Sequence, residues 1–96
     1  MPTKKAYEIT GSGIVLDSPG LYYGFRVVTG GVDRRFQAWD NPTTAAGTRV
    51  ENYTCDGSFP TAGDINSDPV YLESGLYIGL DGGEGIVYAW ENPLQG

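Results

Sequence analysis

The sequence predicts an all-β domain: a single-domain antiparallel β-sandwich or jelly-roll-like barrel of about eight short strands. Three observations carry that expectation. The 96 residues include fifteen glycines and six prolines against one methionine, which is punctuation for turns rather than material for helices. No stretch of ten or more residues shows a convincing 3.6-residue apolar period. Short runs rich in Val, Ile, Tyr and Phe recur instead, separated by clusters of Gly, Pro, Asn and Asp.

The elements follow in order. Residues 6–10 (AYEIT) form a first strand with Ala6 and Glu8 facing out, and residues 13–17 (GIVLD) a second, after a Gly-Ser-Gly turn. Pro19 presets φ for a turn at residues 18–20. Residues 21–29 (LYYGFRVVT) are the longest strand. Strict alternation puts Leu21, Tyr23, Phe25 and Val27 on one face and Tyr22, Gly24, Arg26 and Val28 on the other. In residues 34–40 (RRFQAWD), Phe36, Ala38 and Asp40 oppose Arg35, Gln37 and Trp39. The Gly-Gly between these two runs predicts a hairpin, and Asn41-Pro42 ends the second run because Pro cannot donate to a ladder. Residues 48–55 make another strand, 56–69 read as a long polar loop, and 70–73 form a short strand. Residues 75–81 and 85–91, joined through GGEG, close the domain as a second hairpin.

These two predicted hairpins echo each other. Both read G-L-Y-x-G, then a variable stretch, then A-W-acid-N-P: Gly20 to Pro42 and Gly75 to Pro93. The starts lie 55 residues apart (Gly20 and Gly75) and the tryptophans 51 (Trp39 and Trp90), so the first copy is four residues longer between them. Five matched positions around each Trp-Asn-Pro make chance recurrence of strand vocabulary the weaker explanation.

Composition removes several function classes. The net charge is −6, with six basic residues scattered among twelve acids, so no Lys/Arg stripe exists to displace counterions from nucleic acid or to bind an anionic membrane. No apolar run approaches the ~20 residues of a membrane span. MPTKKAYEIT has a basic start without an apolar segment behind it, so we expect no signal peptide and folding in a cytoplasm. Lone Cys55 closes no disulfide within the chain. About two-thirds of the unfolded surface should still be buried in one domain of this size.

The absence of histidine removes Ser-His, Cys-His and His-ligated metal chemistry. Asp40 and Glu91 stand at equivalent places beside Trp39 and Trp90, the arrangement of a carboxylate pair at a sugar site, but an acid before Asn-Pro has a ready use in capping backbone N–H groups. Residues 64–68 (DINSD) open like a calcium loop and then fail: Pro69 stands where Gly is needed and Gly75 where Glu is needed. Asn52-Tyr53-Thr54 matches a glycosylation acceptor but reads as strand. We therefore expect no enzyme and no cofactor. The remaining candidates are an interface or ligand platform of Trp39, Trp90, Tyr22, Tyr77, Arg34 and Arg35, and an extended N-terminal arm, residues 1–5, whose Lys4 and Lys5 reach acids on a neighbour.

SPGLYYGFRVV, then QAWDNPTTAAGTRV, then SGLYIGL and IVYAW, is similar to a group of small structural proteins of tailed bacteriophages. There a G-x-L-Y-G strand leads to a strand ending in [Y/W]-D-N, a short A-x-G-T loop follows, and a later G-L-Y strand precedes the last hairpin. The likeness runs from Ser18 to Trp90; the acidic stretch around residues 56–69 has no counterpart in it. The resemblance implies a virion protein made in the bacterial cytoplasm, a decoration (cement) protein on the outside of the phage head. Its partners would be the major capsid protein and itself, as a homotrimer. The aromatic residues leave a second expectation, a carbohydrate-binding or host-recognition module with a glycan partner.

Overall fold

The computed structural model describes residues 5–90, apart from the side chains of Asn66 and Ser67. They form eight strands: β1 (Lys5–Ile9), β2 (Gly13–Leu16), β3 (Gly20–Val28), β4 (Arg34–Asp40), β5 (Thr48–Cys55), β6 (Thr61–Leu72), β7 (Leu76–Leu80) and β8 (Glu84–Trp90). Two four-stranded antiparallel sheets result, the first ordered β1-β8-β3-β6 and the second β2-β7-β4-β5. The fold is the expected all-β sandwich.

The core lies between the sheets, filled by the inward side chains Tyr22, Phe25, Val27 and Val87 from the first and Phe36, Ala38, Leu76 and Ile78 from the second. Phe25 and Phe36 stack with centroids 3.8 Å apart and planes 6° from parallel, and Tyr53 meets Phe25 edge-on at 5.2 Å. Cys55 is wholly buried among these side chains, and burial pushes its thiol pKa up, so it packs as a small apolar residue.

Three expectations need correction. The first concerns the hairpins. β3 and β4 do not pair with each other; they lie in different sheets, as do β7 and β8. Each Gly-rich turn carries the chain across the sandwich, which is why Phe25 and Phe36 meet face to face through the core. Apolar alternation shows only that both strands present a face to the core, and that is equally true of neighbours in a sheet and of partners across it.

The second concerns residues 56–69. Only 56–60 lie between strands, and β6 begins at Thr61. Alternation failed here because β6 is an edge strand with a polar outer surface, and because it bulges: Tyr22 pairs with Val70 but Gly24 with Ile65, so residues 66–69 stand opposite Tyr23 alone.

The third concerns Tyr22. The same Tyr22/Gly24 irregularity recurs where β3 meets β8, leaving Tyr23 extra on β3. Alternation resets there, so Tyr22 is fully buried beside Phe25 and Val27 while Tyr23 is half-buried. Tyr22 therefore belongs to the core and to no surface platform. Gly24 makes the reset feasible: its φ is +143°, and a Cβ there would lie 2.2 Å from the Asp64 carbonyl oxygen.

The sequence repeat has a topological counterpart. Advancing every strand number by four, with β1 following β8, converts β1-β8-β3-β6 into β5-β4-β7-β2, the second sheet read backwards. In connectivity the two sheets are thus related by a shift of four strands that maps β3 and β4 onto β7 and β8, although the registers differ, since Tyr22 pairs with Ala89 but Tyr77 with Trp39. Part of the extra length in the first copy is spent in β3, which has nine residues against five in β7.

Candidate binding face on the second sheet

Strand pairing lays the outward side chains of the second sheet in rows. Ile14, Tyr77, Trp39 and Arg49 are successive partners across β2, β7, β4 and β5, and the next row is Gly79, Gln37 and Asn52. Beyond it Arg35 pairs with Thr54, and the Asp81 carboxylate accepts the Arg35 backbone N–H at 3.0 Å. A shallow cleft of about 650 Å³ runs over this end of the sheet, bordered by Tyr77, Gly79, Gln37, Arg35 and Asp81, with Ala45 of the β4–β5 loop at its rim.

Trp39 is half-buried on this face, with the Arg49 guanidinium 5.6 Å from the ring centroid. Its Nε1 is buried and has no hydrogen-bond partner within the protein. Gln37 donates through Nε2 to Asn52 Oδ1 at 3.4 Å, leaving its own Oε1 on the Gly79 side.

The other predicted site residues scatter. Trp90 lies in the first sheet opposite Leu21, so the two tryptophans belong to opposite outer faces of the sandwich and form no common platform. Arg34 is half-buried and structural: its Nε donates to the Thr29 carbonyl at 3.2 Å, and its guanidinium lies against the Gly82–Gly83 turn, tying the two crossing turns together. Arg35 is exposed at the cleft, Tyr77 half-buried beside it. Lys5 is exposed at the start of β1, within a strand rather than an extended arm, because its backbone pairs with Ala89. Lys4 and Glu91 lie outside the described residues.

Asp40 caps backbone N–H groups, though not those of its own turn. Its carboxylate accepts from Glu73 and Ser74 N–H, both at 2.9 Å, and so fixes the β6–β7 turn. The loop after Asp40 is closed by Asn41, whose Oδ1 accepts the N–H groups of Thr43 and Thr44. Thr29, fully buried, joins another pair of loops: its hydroxyl donates to the Phe59 carbonyl at 2.6 Å while its N–H donates to the Pro60 carbonyl. Among the described residues no group of three or more His, Cys, Asp or Glu could hold a metal ion.

One polar cluster escaped the sequence reading. At the seam where β5 faces β6, the buried Tyr22 hydroxyl donates to Glu51 Oε1 at 3.1 Å. Burial raises the Glu51 carboxyl above its ordinary range and the nearby Asp64 charge adds to this, with the Tyr22 hydrogen bond opposing; burial beside Glu51 also raises the Tyr22 phenol. Glu51 faces inward with Tyr53 and Cys55, opposite Ala38, and its signal was hidden because Val50, the extra residue of a β5 bulge, reads as the apolar member of that part of the strand. Gly79 was missed as well, although a glycine inside an apolar strand is itself a signal.

Comparison with protein-family models, curated proteins and solved structures finds no match.

Proposed function

We propose that the chain is a non-enzymatic structural protein of a phage particle, a decoration subunit that binds the outer face of the head and stabilises it. The observation that carries this reading is the outer face of the first sheet. Trp90, Leu21 and Tyr71 form one lateral row across β8, β3 and β6, with Tyr88 and Ile65 in the next. Tyr71 is 51% exposed and Ile65 44%, so a contiguous aromatic and aliphatic surface meets solvent at one end of the sheet. Surfaces of that kind mark association sites. The likeness of the G-L-Y and A-W-D-N-P segments to phage structural proteins supplies the partner: the major capsid protein, with further copies of this chain completing a trimer on a three-fold position. Synthesis in the bacterial cytoplasm and residence on the virion belong to the same reading.

Binding to the assembled shell alone would stabilise it by mass action, about 2.7 kcal/mol per site at a hundredfold excess over Kd. The test is to mix the purified protein with undecorated heads of the capsid protein encoded alongside it, and to follow co-sedimentation and the thermal disruption of the heads. Wild-type protein should bind and raise the disruption temperature. The Tyr71→Glu/Ile65→Glu double variant, altered at two exposed positions, should stay folded and lose binding. Failure of wild-type protein to bind, or full binding by the double variant, overturns the reading; native mass spectrometry of the free protein tests the trimer.

A further inference from the structure

We infer that copies of this chain associate edge to edge, β1 of one copy adding to β6 of the next and continuing the first sheet across the contact. The number of copies, three, rests on the shell reading; the contact itself does not.

Strand directions permit it. Both sheets are antiparallel and four-stranded, so the two edges of each run in opposite directions. Copies set side by side in one orientation therefore meet with β1 antiparallel to β6. The second sheet agrees, because residues 10–12 join β1 directly to β2 on one flank while β5 faces β6 on the other.

The hydrogen-bond phase fits as well. Thr29 N–H donates to the Pro60 carbonyl, so residues 60, 62 and 64 turn toward β3 and Thr61, Gly63 and Ile65 turn their backbone groups to the open edge. Carried across β3 and β8, the same alternation leaves Ala6 and Glu8 open on β1. β6 bulges only after Ile65, so residues 61–65 offer an unbroken edge that matches the five residues of β1. Beside that edge runs a hollow of about 610 Å³, bordered by Phe59, Thr61, Gly63 and Ile65, where a strand has room. Phe59 is 61% exposed there, an apolar surface for the added strand to cover.

Side-chain parity admits only alternate registers, and charge selects among them. With Ala6 opposite Gly63 and Glu8 opposite Thr61, Lys5 stands directly across from Asp64, and both are exposed. On the outer side Ile86 stands between Glu8 and Arg26 of one chain. Across the contact only Gly63, which has no side chain, separates Arg26 from the neighbouring edge, with the partner's Glu8 one pleat away. Two β6 edges pairing about a twofold axis would instead bring two Asp64 carboxylates together, which like charge opposes.

The experiment is sedimentation velocity of the full chain in low salt, from about 10 μM to about 1 mM. Wild-type protein should form species heavier than one chain. Ala6→Pro removes an N–H that points away from β8, so it should keep the wild-type circular dichroism spectrum and stay monomeric. Asp64→Lys should weaken association about tenfold, and Lys5→Glu/Asp64→Lys should recover it. Three outcomes overturn the inference: wild-type protein that stays monomeric, association untouched by Ala6→Pro, and association strengthened by Asp64→Lys alone, as paired β6 edges require. The shell reading fails separately. Heads that bind wild-type protein which is monomeric when free keep that reading and remove this contact, and association without head binding does the reverse.

Discussion

Gly24 and Gly79 hold equivalent places in the two G-L-Y-x-G copies, yet their surroundings differ completely. At Gly24 a methyl group would lie 2.2 Å from the Asp64 carbonyl oxygen and 2.7 Å from Ile65 Cα, in a backbone conformation that L side chains rarely adopt. Gly24→Ala should therefore cost roughly 2–4 kcal/mol, read from the urea midpoint, because backbone on two strands must move. Gly24 is also where strand alternation misleads. A period-2 pattern through residues 21–28 puts Tyr22 outside, and the reset at Tyr23 brings it in, carrying a hydroxyl that Glu51 accepts. The inward set of β4 was legible because β4 keeps its alternation from Arg34 to Ala38; Phe36 and Ala38 are fully buried as the pattern requires. The bulge at Tyr23 is marked in the sequence only by the neighbouring Gly24 and the one at Val50 by nothing, so the core was readable strand by strand except where two strands slip.

Connections between elements rest on a few polar side chains. Asp40 ends β4 and holds the turn between β6 and β7, so Asp40→Ala should destabilise the protein by about 1–3 kcal/mol through N–H groups left unpaired, measured by thermal melting. Its carboxylate role was visible in the sequence as a cap, whereas the turn it caps was not, since that turn is remote in the chain. The seam between β5 and β6 contributes a pH dependence of its own. Folded Glu51 holds its proton more tightly than the unfolded chain does, so the native state binds more protons across that interval. Its contribution is full below the ordinary Glu value of 4.5 and is lost as pH rises through the raised folded value. Urea unfolding should show stability from that source falling as pH rises above 4.5, and Glu51→Gln should flatten the slope. An unchanged slope in the variant would assign the pH dependence to another group.

Across the whole molecule, the same four-strand shift makes the β4-to-β5 loop the topological counterpart of the ends of the described chain. Lys5 pairs with Ala89, so the ends of the described chain are neighbours, and residues 43–47 are exposed. A circular permutant with its ends linked and its chain opened between Ala45 and Ala46 should fold to the same far-ultraviolet circular dichroism spectrum. Opening the chain between Gly30 and Gly31 should fail, since buried Thr29 ties that crossing to Phe59 and Pro60. The sequence revealed the repeat and the fold class; the assignment of each copy's two strands to separate sheets depends on contacts remote in the chain, such as Trp39 with Tyr77 and Leu21 with Trp90, only one of which joins like residues. The same relation gives the protein an internal control. Trp39→Phe and Trp90→Phe are one chemical change made at matched addresses in a single folded chain, so whatever separates their effects reports the company each face keeps.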